Sequence, residues 1–314
     1  MKSNLIPRWN PIVNSINKAF SILERLAKQV KLVKKGKGRK PKQGILRYAI
    51  LIALKEFDKR SLREAEVHLS RFVCGDRVDH SVIGYWENKV EMKKLICKFI
   101  TIAGSMLDKV LSSLFVMIDA TKFSSWNIKE VEFTLCNRVV EQTLYPIGIS
   151  FLTNNVRDPV NECLPKGNKI LYADAWYDDN KALGVMFKKG YVPVVCPNKM
   201  RSRGYYRKRA RKIYNQPVHR LGYRQRGRGE SVFGSLTNRY GNRLNTRNKS
   251  ATQTRIAARV LSYQIKILIR VNNFEIMLIL RHALERIRFK SSTFVFHLFN
   301  MVITSFFIKE VIFI

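Results

Sequence analysis

Residues 114–120 read Leu-Phe-Val-Met-Ile-Asp-Ala, and the rest of the chain is best interpreted outward from them. Five apolar residues in a row, some β-branched or aromatic, predict a strand buried on both faces of a sheet. The run stops at a carboxylate, Asp119. Open α/β sheets place their chemistry at the edge where such strands end, which makes Asp119 a candidate functional residue. The alternative is that Asp119 only caps a turn or the next helix.

The same pattern occurs a second time downstream. Residues 169–173 predict another short buried strand, and it too ends on an acid, Asp174. A helical pattern over 178–189 and a strand over 191–195 follow, which together predict a βαβ unit. Pro193 inside the last strand favours a position at the edge of the sheet.

Two further strands are predicted between the two acids. Residues 131–139 and 145–153 alternate or run apolar, and with the first strand they predict an antiparallel meander. Residues 154–168 read as a polar connection. The fold class expected is therefore α/β, a mixed sheet with flanking helices.

An all-α region is predicted before the sheet. Apolar periodicity predicts helices over residues 10–31, 44–66 and 91–110 in this region, and over 229–240 and 252–272 after the sheet. Ser61 and Glu64 fit a capping box that opens another short helix. A further helix starts near Asp79 or Ser81 and carries Tyr85 and Trp86. These short helices are similar to a helix-turn-helix, although a small bundle with both aromatic residues in its core explains them equally well.

The charge of the chain narrows the choice of partner. Lys and Arg number 58 against 23 acidic residues, a net charge of +35, and the pI is about 10.3. Such a field attracts polyanions, and nucleic acid is the first candidate. A peripheral membrane protein is the weaker alternative, because the charge is spread along the chain.

Five scattered cysteines argue against a disulfide framework or a zinc finger, and with no secretory signal in residues 1–10 they predict a cytoplasmic protein.

Two segments are extremely basic. Residues 31–42 hold seven basic residues, broken by glycines and a proline, and predict a flexible arm or linker that touches phosphate. Residues 198–228 interleave Arg and Lys with four tyrosines. Aromatic rings can stack on unpaired bases while cations hold phosphates, although a disordered basic loop is the alternative.

Three acids form the candidate catalytic site. Asp119 and Asp174 end predicted strands, and Glu230 begins a helix after the basic segment; they lie 55 and 56 residues apart. The two aspartates become neighbours if their strands pair in parallel. Their repulsion is costly unless cations neutralise it, and carboxylate oxygens suit Mg²⁺ or Mn²⁺. Two such ions roughly 4 Å apart would serve phosphoryl transfer.

The order and setting of these acids resemble the ribonuclease-H-like catalytic domain of DDE transposases from bacterial and archaeal insertion sequences. The family signature around the third acid is Tyr, two residues, Arg, three residues, Glu, six residues, Lys. Tyr223, Arg226 and Glu230 match it, whereas Thr237 stands at the Lys position. Arg239, two residues on, is a candidate basic substitute.

The resemblance covers about residues 38–272 and implies a DNA transposase that cleaves and rejoins the ends of its element. It implies that Asp119, Asp174 and Glu230 bind two Mg²⁺ (or Mn²⁺) ions, and that the protein is a homodimer associated with the nucleoid. A nuclease on the same fold and an inactive DNA-binding derivative are the alternatives. Residues expected to contact DNA, at the element's terminal repeats and in target DNA, are Tyr223, Arg226, Arg239, Lys199, Arg201, Arg203, Arg228, Arg39 and Lys40.

Three regions are expected: a helical DNA-binding or dimerisation region (1–110), the catalytic domain (111–272) and an apolar tail (273–314). Residues 294–314 are about as long as a membrane span, but Asn300, Thr304 and a late charge pair interrupt them. A packed terminal element or a poorly folding appendage is the preferred interpretation, and membrane association is not expected.

Overall fold

A computed structural model describes residues 15–32, 41–140, 143–200 and 203–288, with side chains up to residue 272. The chain divides into two compact units, Met1–Ile269 and Arg270–Ile314. The predictions for Arg39, Lys40, Arg201 and residues 289–314 fall outside the described residues. The predicted regional boundaries at 110 and 272 remain predictions.

The first unit contains a mixed sheet with the strand order β3-β2-β1-β4-β5, and β6 pairs with the far end of β1. The strands are β1 (Phe115–Ser125), β2 (Val131–Val140), β3 (Thr143–Ser150), β4 (Ile170–Ala173), β5 (Val192–Val195) and β6 (Arg243–Leu244). β1, β2 and β3 form the predicted antiparallel meander. With helices flanking the sheet and a helical region before it, the predicted α/β fold class is confirmed, and the arrangement is consistent with a ribonuclease-H-like fold.

Strand β1 is longer than the apolar run suggested. The sequence predicts that the strand ends at Asp119, but β1 continues to Ser125 and pairs with β2 as far as Phe123↔Val131. That prediction is wrong because β2 pairs with β1 as far as Phe123, and β6 pairs with Ser124 and Ser125 beyond it. The ring of Phe123 also packs edge-on against Phe133 at 5.2 Å, which holds the extension in place.

The parallel pairing of β1 with β4 is confirmed. Its register is Val116↔Leu171, Met117↔Tyr172 and Ile118↔Ala173, and the pairing stops one residue before both aspartates. Parallel strands bring equivalent residues to the same level of the sheet. The two acids therefore leave the sheet side by side.

The βαβ unit is also confirmed. Helix α8 (Asn180–Lys188) connects β4 to the parallel strand β5, and Pro193 lies in that edge strand as predicted. The predicted polar connection before β4 is wrong in part, because it contains helix α7 (Arg157–Cys163). Pro159 is tolerated in its first turn, and the buried Val160 packs the short helix onto the sheet.

Helices precede the sheet and flank it. Their bounds are α1 (Ile16–Gln29), α2 (Ile45–Phe57), α3 (Leu62–Glu64), α4 (Ser70–Cys74), α5 (His80–Glu87), α6 (Val90–Val110), α9 (Tyr205–Tyr214), α10 (Pro217–Tyr223), α11 (Glu230–Tyr240) and α12 (Lys249–Arg288). A π-helical turn, Ala65–Leu69, joins α3 to α4. The capping box of Ser61 and Glu64 is confirmed, and Asp79 rather than Ser81 caps α5.

Helix α6 packs closely on the sheet. A Cβ on Gly104 would lie 2.9 Å from the Cα of Ile147 in β3, so glycine permits the close approach. The buried amide of Gln264 in α12 donates hydrogen bonds to the carbonyls of Ile100 (2.8 Å) and Pro146 (2.7 Å). These bonds fix α12 against α6 and β3.

Helix α12 runs further than predicted, from Lys249 to Arg288, and the division between the two compact units falls within it. We find no helix that combines the length and the hydropathy of a membrane span in the described part of the chain.

Candidate active site and nucleic-acid surface

Asp119 is the most enclosed of the three candidate acids. Its side chain is 18% exposed, and its Oδ1 accepts a hydrogen bond from the backbone N–H of Ala120 at 2.9 Å. Burial raises the pKa of this carboxyl above its ordinary value, while the Ala120 N–H and the guanidinium of Arg226 oppose the shift; Asp174 and Glu230 add to it. The positive groups near Asp119 therefore do not fully compensate the negative charge of its carboxylate.

Asp174 follows β4 and has a second, structural role. Its Oδ1 accepts a hydrogen bond from the N–H of Ala175 at 2.7 Å and caps the 3₁₀ turn Ala175–Tyr177. Asp174 is thus the acid that caps a turn, a role that the sequence offered for Asp119. Capping leaves Asp174 available for a functional role, because 46% of its side chain remains exposed. Trp176, two residues on, is 69% exposed beside it.

Glu230 is brought to the same edge by a close helix–strand contact. It is the first residue of α11, and the preceding Gly229 is buried against β1. A Cβ on Gly229 would lie 3.3 Å from the Sδ of Met117, so the absence of a side chain lets α11 begin directly over β1. Glu230 itself is 68% exposed.

We call the three acids Asp119, Asp174 and Glu230 the acid cluster. The guanidinium of Arg226 lies between their carboxylates. Its Nη1 lies 3.9 Å from Asp119 Oδ2 and 3.9 Å from Asp174 Oδ1, and its Nη2 lies 4.0 Å from Glu230 Oε1. One cation therefore sits at the convergence of three carboxylates that are 55 and 56 residues apart in sequence. The contacts are long for ion pairs, so the guanidinium is loosely held.

The donor set of the acid cluster fits a hard divalent cation. It consists of carboxylate oxygens without thiol or imidazole, which is what Mg²⁺ and Mn²⁺ prefer. The three carboxylates already surround the positive charge of Arg226, so their arrangement accommodates a cation. Among the described residues, the oxygens of the acid cluster do not all lie within 4.8 Å of one another.

One tighter group exists among the described residues, formed by Glu66, Asp79 and His80. Its carboxylates are already used: Glu66 accepts from Arg77 and from both the backbone and the ring of His80, and Asp79 caps α5. This group is explained as a structural junction between α5 and the π-helical turn.

Tyr223 belongs to a small aromatic cluster. Its ring lies 6.5 Å from that of Tyr172 in β4 and 5.3 Å from that of Tyr214, both edge-on. Burial raises its pKa to about 12, and the neighbouring Arg226 opposes that shift. Tyr223 therefore anchors the end of α10 on the sheet, three residues before Arg226.

The described residues 205–228 of the basic segment are almost entirely helical, which contradicts the alternative of a disordered basic loop. The segment contains α9, α10 and a 3₁₀ helix, Arg224–Gly229, that runs into α11. The side chain of Arg207 is buried and donates to the carboxylate of Asp178 at 3.0 Å. The ring of Tyr206 stacks on Phe187 at 5.9 Å. These contacts come from β4–α8 residues distant in sequence, so local composition could not reveal them.

The predicted DNA-contacting residues lie in three different places. Arg226 and Tyr223 adjoin the acid cluster. Lys199 and Arg203 are exposed before α9, and Arg228 is half-buried in the 3₁₀ helix. The other exposed basic residues among the described part of the segment are Lys208, Arg209, Lys212, Arg220 and Arg224.

Arg239 lies away from the acid cluster. It is nine residues after Glu230, about 13 Å along α11 at 1.5 Å per residue. Its guanidinium lies 5.4 Å from the ring centre of Tyr240. Nine residues make two and a half helical turns, so Arg239 leaves α11 on the side opposite Glu230, whereas Thr237 is about two turns away and shares the side of Glu230. Arg239 as a substitute for the signature Lys stays a prediction, and Thr237 remains a departure from the signature.

The helix-turn-helix prediction rests on α5. Tyr85 is 55% exposed, so it is not a core residue, while Trp86 stacks on Tyr48 of α2 at 5.1 Å. The exposed face of α5 also carries Ser81 and Val82. Sequence reading of DNA by this helix stays a prediction.

The sheet is consistent with a ribonuclease-H-like fold, and three carboxylates meet at the edge of its strands β1 and β4. The family model described as the transposase DDE domain matches residues 152–265. The match includes Asp174, Arg226 and Glu230, and it begins after Asp119. The resemblance to DDE transposases is confirmed over these residues, and it implies an enzyme that acts on DNA. No curated protein and no solved structure matches the chain.

Proposed function

We propose that this protein is a DNA transposase that cleaves the ends of an insertion sequence and joins them to target DNA by metal-dependent phosphoryl transfer. The observation that carries the proposal is the convergence of Asp119, Asp174 and Glu230 on Arg226. The match to the transposase DDE domain over residues 152–265 supports it independently. The acid cluster beside β1 and β4 supports chemistry at this edge of the sheet, and the match includes Asp174, Arg226 and Glu230.

Asp119, Asp174 and Glu230 would hold two Mg²⁺ or Mn²⁺ ions. When bound, such ions activate a water or a 3′-hydroxyl and stabilise the leaving oxygen. The raised pKa of Asp119 fits this role, because a buried, under-compensated carboxylate gains most from a divalent cation. The N–H groups of Ala120 and Ala175 orient the two aspartates by binding one oxygen of each.

Arg226 would exchange partners when substrate binds. Its single positive charge partly compensates the acid cluster through contacts of 3.9–4.0 Å, and a guanidinium binds phosphate in the same forked geometry as carboxylate. Once divalent cations neutralise the acids, Arg226 is free to hold the phosphate next to the cleaved bond. Tyr223 keeps Arg226 at this position by anchoring α10 on β4.

DNA would extend from the acid cluster over the basic helical segment. Lys199, Arg203 and Arg228 lie on or next to this segment, and we propose that they bind phosphates together with Arg39, Lys40 and Arg201. The exposed ring of Trp176 beside Asp174 is available to stack on an unpaired base at the cut end. A homodimer that holds two element ends in the nucleoid completes the proposal.

The test is Mg²⁺-dependent nicking of a duplex that carries the element's own ends. Asp119→Asn, Asp174→Asn and Glu230→Gln are expected to lose formation of the 3′-hydroxyl while retaining DNA binding. Asp158→Asn is the matched control, because Asp158 lies in the first turn of α7, away from the acid cluster. A wild type that binds DNA and never cuts it would make the protein a DNA-binding derivative of a transposase.

Joining separates the transposase from a nuclease on the same fold. A pre-cleaved end with a free 3′-hydroxyl is incubated with a supercoiled target, and covalent insertion is scored on a gel. Cleavage without insertion under conditions where both DNAs are bound would favour the nuclease.

A further inference from the structure

A second basic site lies away from the acid cluster. A cavity of about 640 Å³ is enclosed by the end of α2, the start of α3, the end of α11, β6 and α12. Seven of its fourteen lining residues are Lys or Arg, and only two are acidic. A cavity of this size and charge suits an anionic ligand.

Some of these cations are already neutralised inside the protein. Arg255 and Arg259 bind the buried carboxylates of Glu87 and Glu56 at 2.9 and 3.0 Å, and Arg60 binds Asp58 at 2.7 Å. They build the wall of the cavity, and their charges are largely compensated.

Four other cations of the cavity are not neutralised. In the part of the chain that the structure describes, no carboxylate lies within 4.0 Å of Lys59, Arg63, Arg239 or Arg243. The Nε of Arg239 is buried without a hydrogen-bond partner. Uncompensated cations gathered around one cavity create a positive potential that attracts an anion.

We propose that this basic cavity binds backbone phosphates of the DNA substrate outside the acid cluster. The inference rests on the proposed function, since it takes DNA as the substrate. Glu230 and Arg239 occupy opposite ends of α11, about 13 Å apart at 1.5 Å per residue. At 3.4 Å per base pair, the cavity lies about four base pairs from the cleaved phosphodiester.

The surface between the two sites is open to DNA. The exposed residues of α11 between Glu230 and Arg239 are small or uncharged, namely Ser231, Gly234, Ser235 and Asn238. No atom lies within 4 Å of a Cβ built on Gly234. A phosphate backbone can therefore approach this face without meeting a bulky or acidic side chain.

The test measures duplex affinity against salt in EDTA, so it does not depend on catalysis. The double variant Arg63→Gln/Arg243→Gln removes two exposed, unpaired cations of the cavity. Lys94→Gln/Lys98→Gln removes two exposed cations of α6 and is the matched control. Each phosphate contact contributes about 0.9 to the slope of log K against log salt. The cavity variant is expected to lower that slope by about two and the control to leave it unchanged.

The outcomes are distinct. Equal slopes for the cavity variant and the wild type, with both proteins showing the same melting temperature, would overturn the inference. A nucleoside triphosphate that stabilises the wild type but not the cavity variant, with no change in salt slope, would assign the cavity to a free nucleotide and also overturn it. If the cavity variant lowers the slope as expected but the wild type never nicks DNA, the cavity remains a phosphate site and the proposed function is rejected.

Discussion

Ile118 of β1 and Ala173 of β4 are paired in parallel register, and each is followed directly by an aspartate of the acid cluster. The two carboxylates are thus set by backbone pairing rather than by loop conformation. Arg226 then draws Glu230 of α11 into the same group. The arrangement leads to predictions for the acid cluster, for the buried charges beneath the basic cavity, and for packing.

Arg226→Gln is expected to bind Mn²⁺ several-fold more tightly than the wild type in the absence of DNA, yet to nick DNA more slowly. The reason is that Arg226 competes with metal for the three carboxylates but would hold phosphate during the reaction. Isothermal titration calorimetry with Mn²⁺ measures the first effect and single-turnover nicking the second. Lys94→Gln, an exposed position on α6 outside the basic segment, is the control and should change neither. Weaker Mn²⁺ binding in Arg226→Gln would contradict the proposed exchange.

Asp119→Asn is expected to stabilise the protein in EDTA at neutral pH. Because burial raises the pKa of Asp119, its ionised form opposes folding; the cost is absent below the ordinary pKa and fully present above the raised one. The gain from Asp119→Asn should therefore grow as pH rises from 3 to 7. Urea unfolding at several pH values measures it. A gain that is independent of pH would show that the charge is not the cause.

Glu56→Gln is expected to be strongly destabilising at pH 7, by about 3–5 kcal/mol, the usual cost of breaking a buried ion pair. Burial opposes ionisation of Glu56, but Lys55, Arg259 and Arg255 outweigh it and lower the pKa to about 2. This stabilisation is complete above the ordinary pKa of 4.5 and is lost as pH falls through about 2.

Urea unfolding at pH 7 and pH 3 tests the Glu56 prediction, and the difference from wild type should shrink at pH 3. The control is Glu130→Gln, since Glu130 forms an exposed pair with Lys122 and should have no measurable effect. A Glu56→Gln difference that is the same at both pH values would show that the loss comes from packing.

Gly148→Ala and Gly234→Ala are expected to act in opposite directions. A Cβ on Gly148 in β3 would lie 1.9 Å from the carbonyl oxygen of Cys163, so α7 must move away and stability falls. A Cβ on Gly234 in α11 meets nothing within 4 Å, and alanine there should stabilise the helix by about 0.5–1 kcal/mol. Melting temperatures measure both, and a stable Gly148→Ala variant would contradict the close packing of α7 on β3.

Much of the catalytic core could be predicted from the sequence because its signals are local. An apolar run that ends on Asp119, a second that ends on Asp174, and Pro193 in an edge strand are patterns of a few residues. The helical state of residues 205–223 could not be predicted in the same way. It depends on Arg207 reaching Asp178, a buried pair whose members are 29 residues apart.

The sequence by itself determined the five main strands, most of the longer helices, the three acids and their spacing, and the basic character that points to DNA. Those properties follow from periodicity, charge and turn chemistry along the chain. Only the tertiary structure decided that Arg226 lies among the three carboxylates, that β1 extends past Asp119, and that Arg239 faces a separate basic cavity. Each of these depends on which distant segments pack together, because side-chain distances are fixed by the folded sheet and helices and not by spacing in sequence.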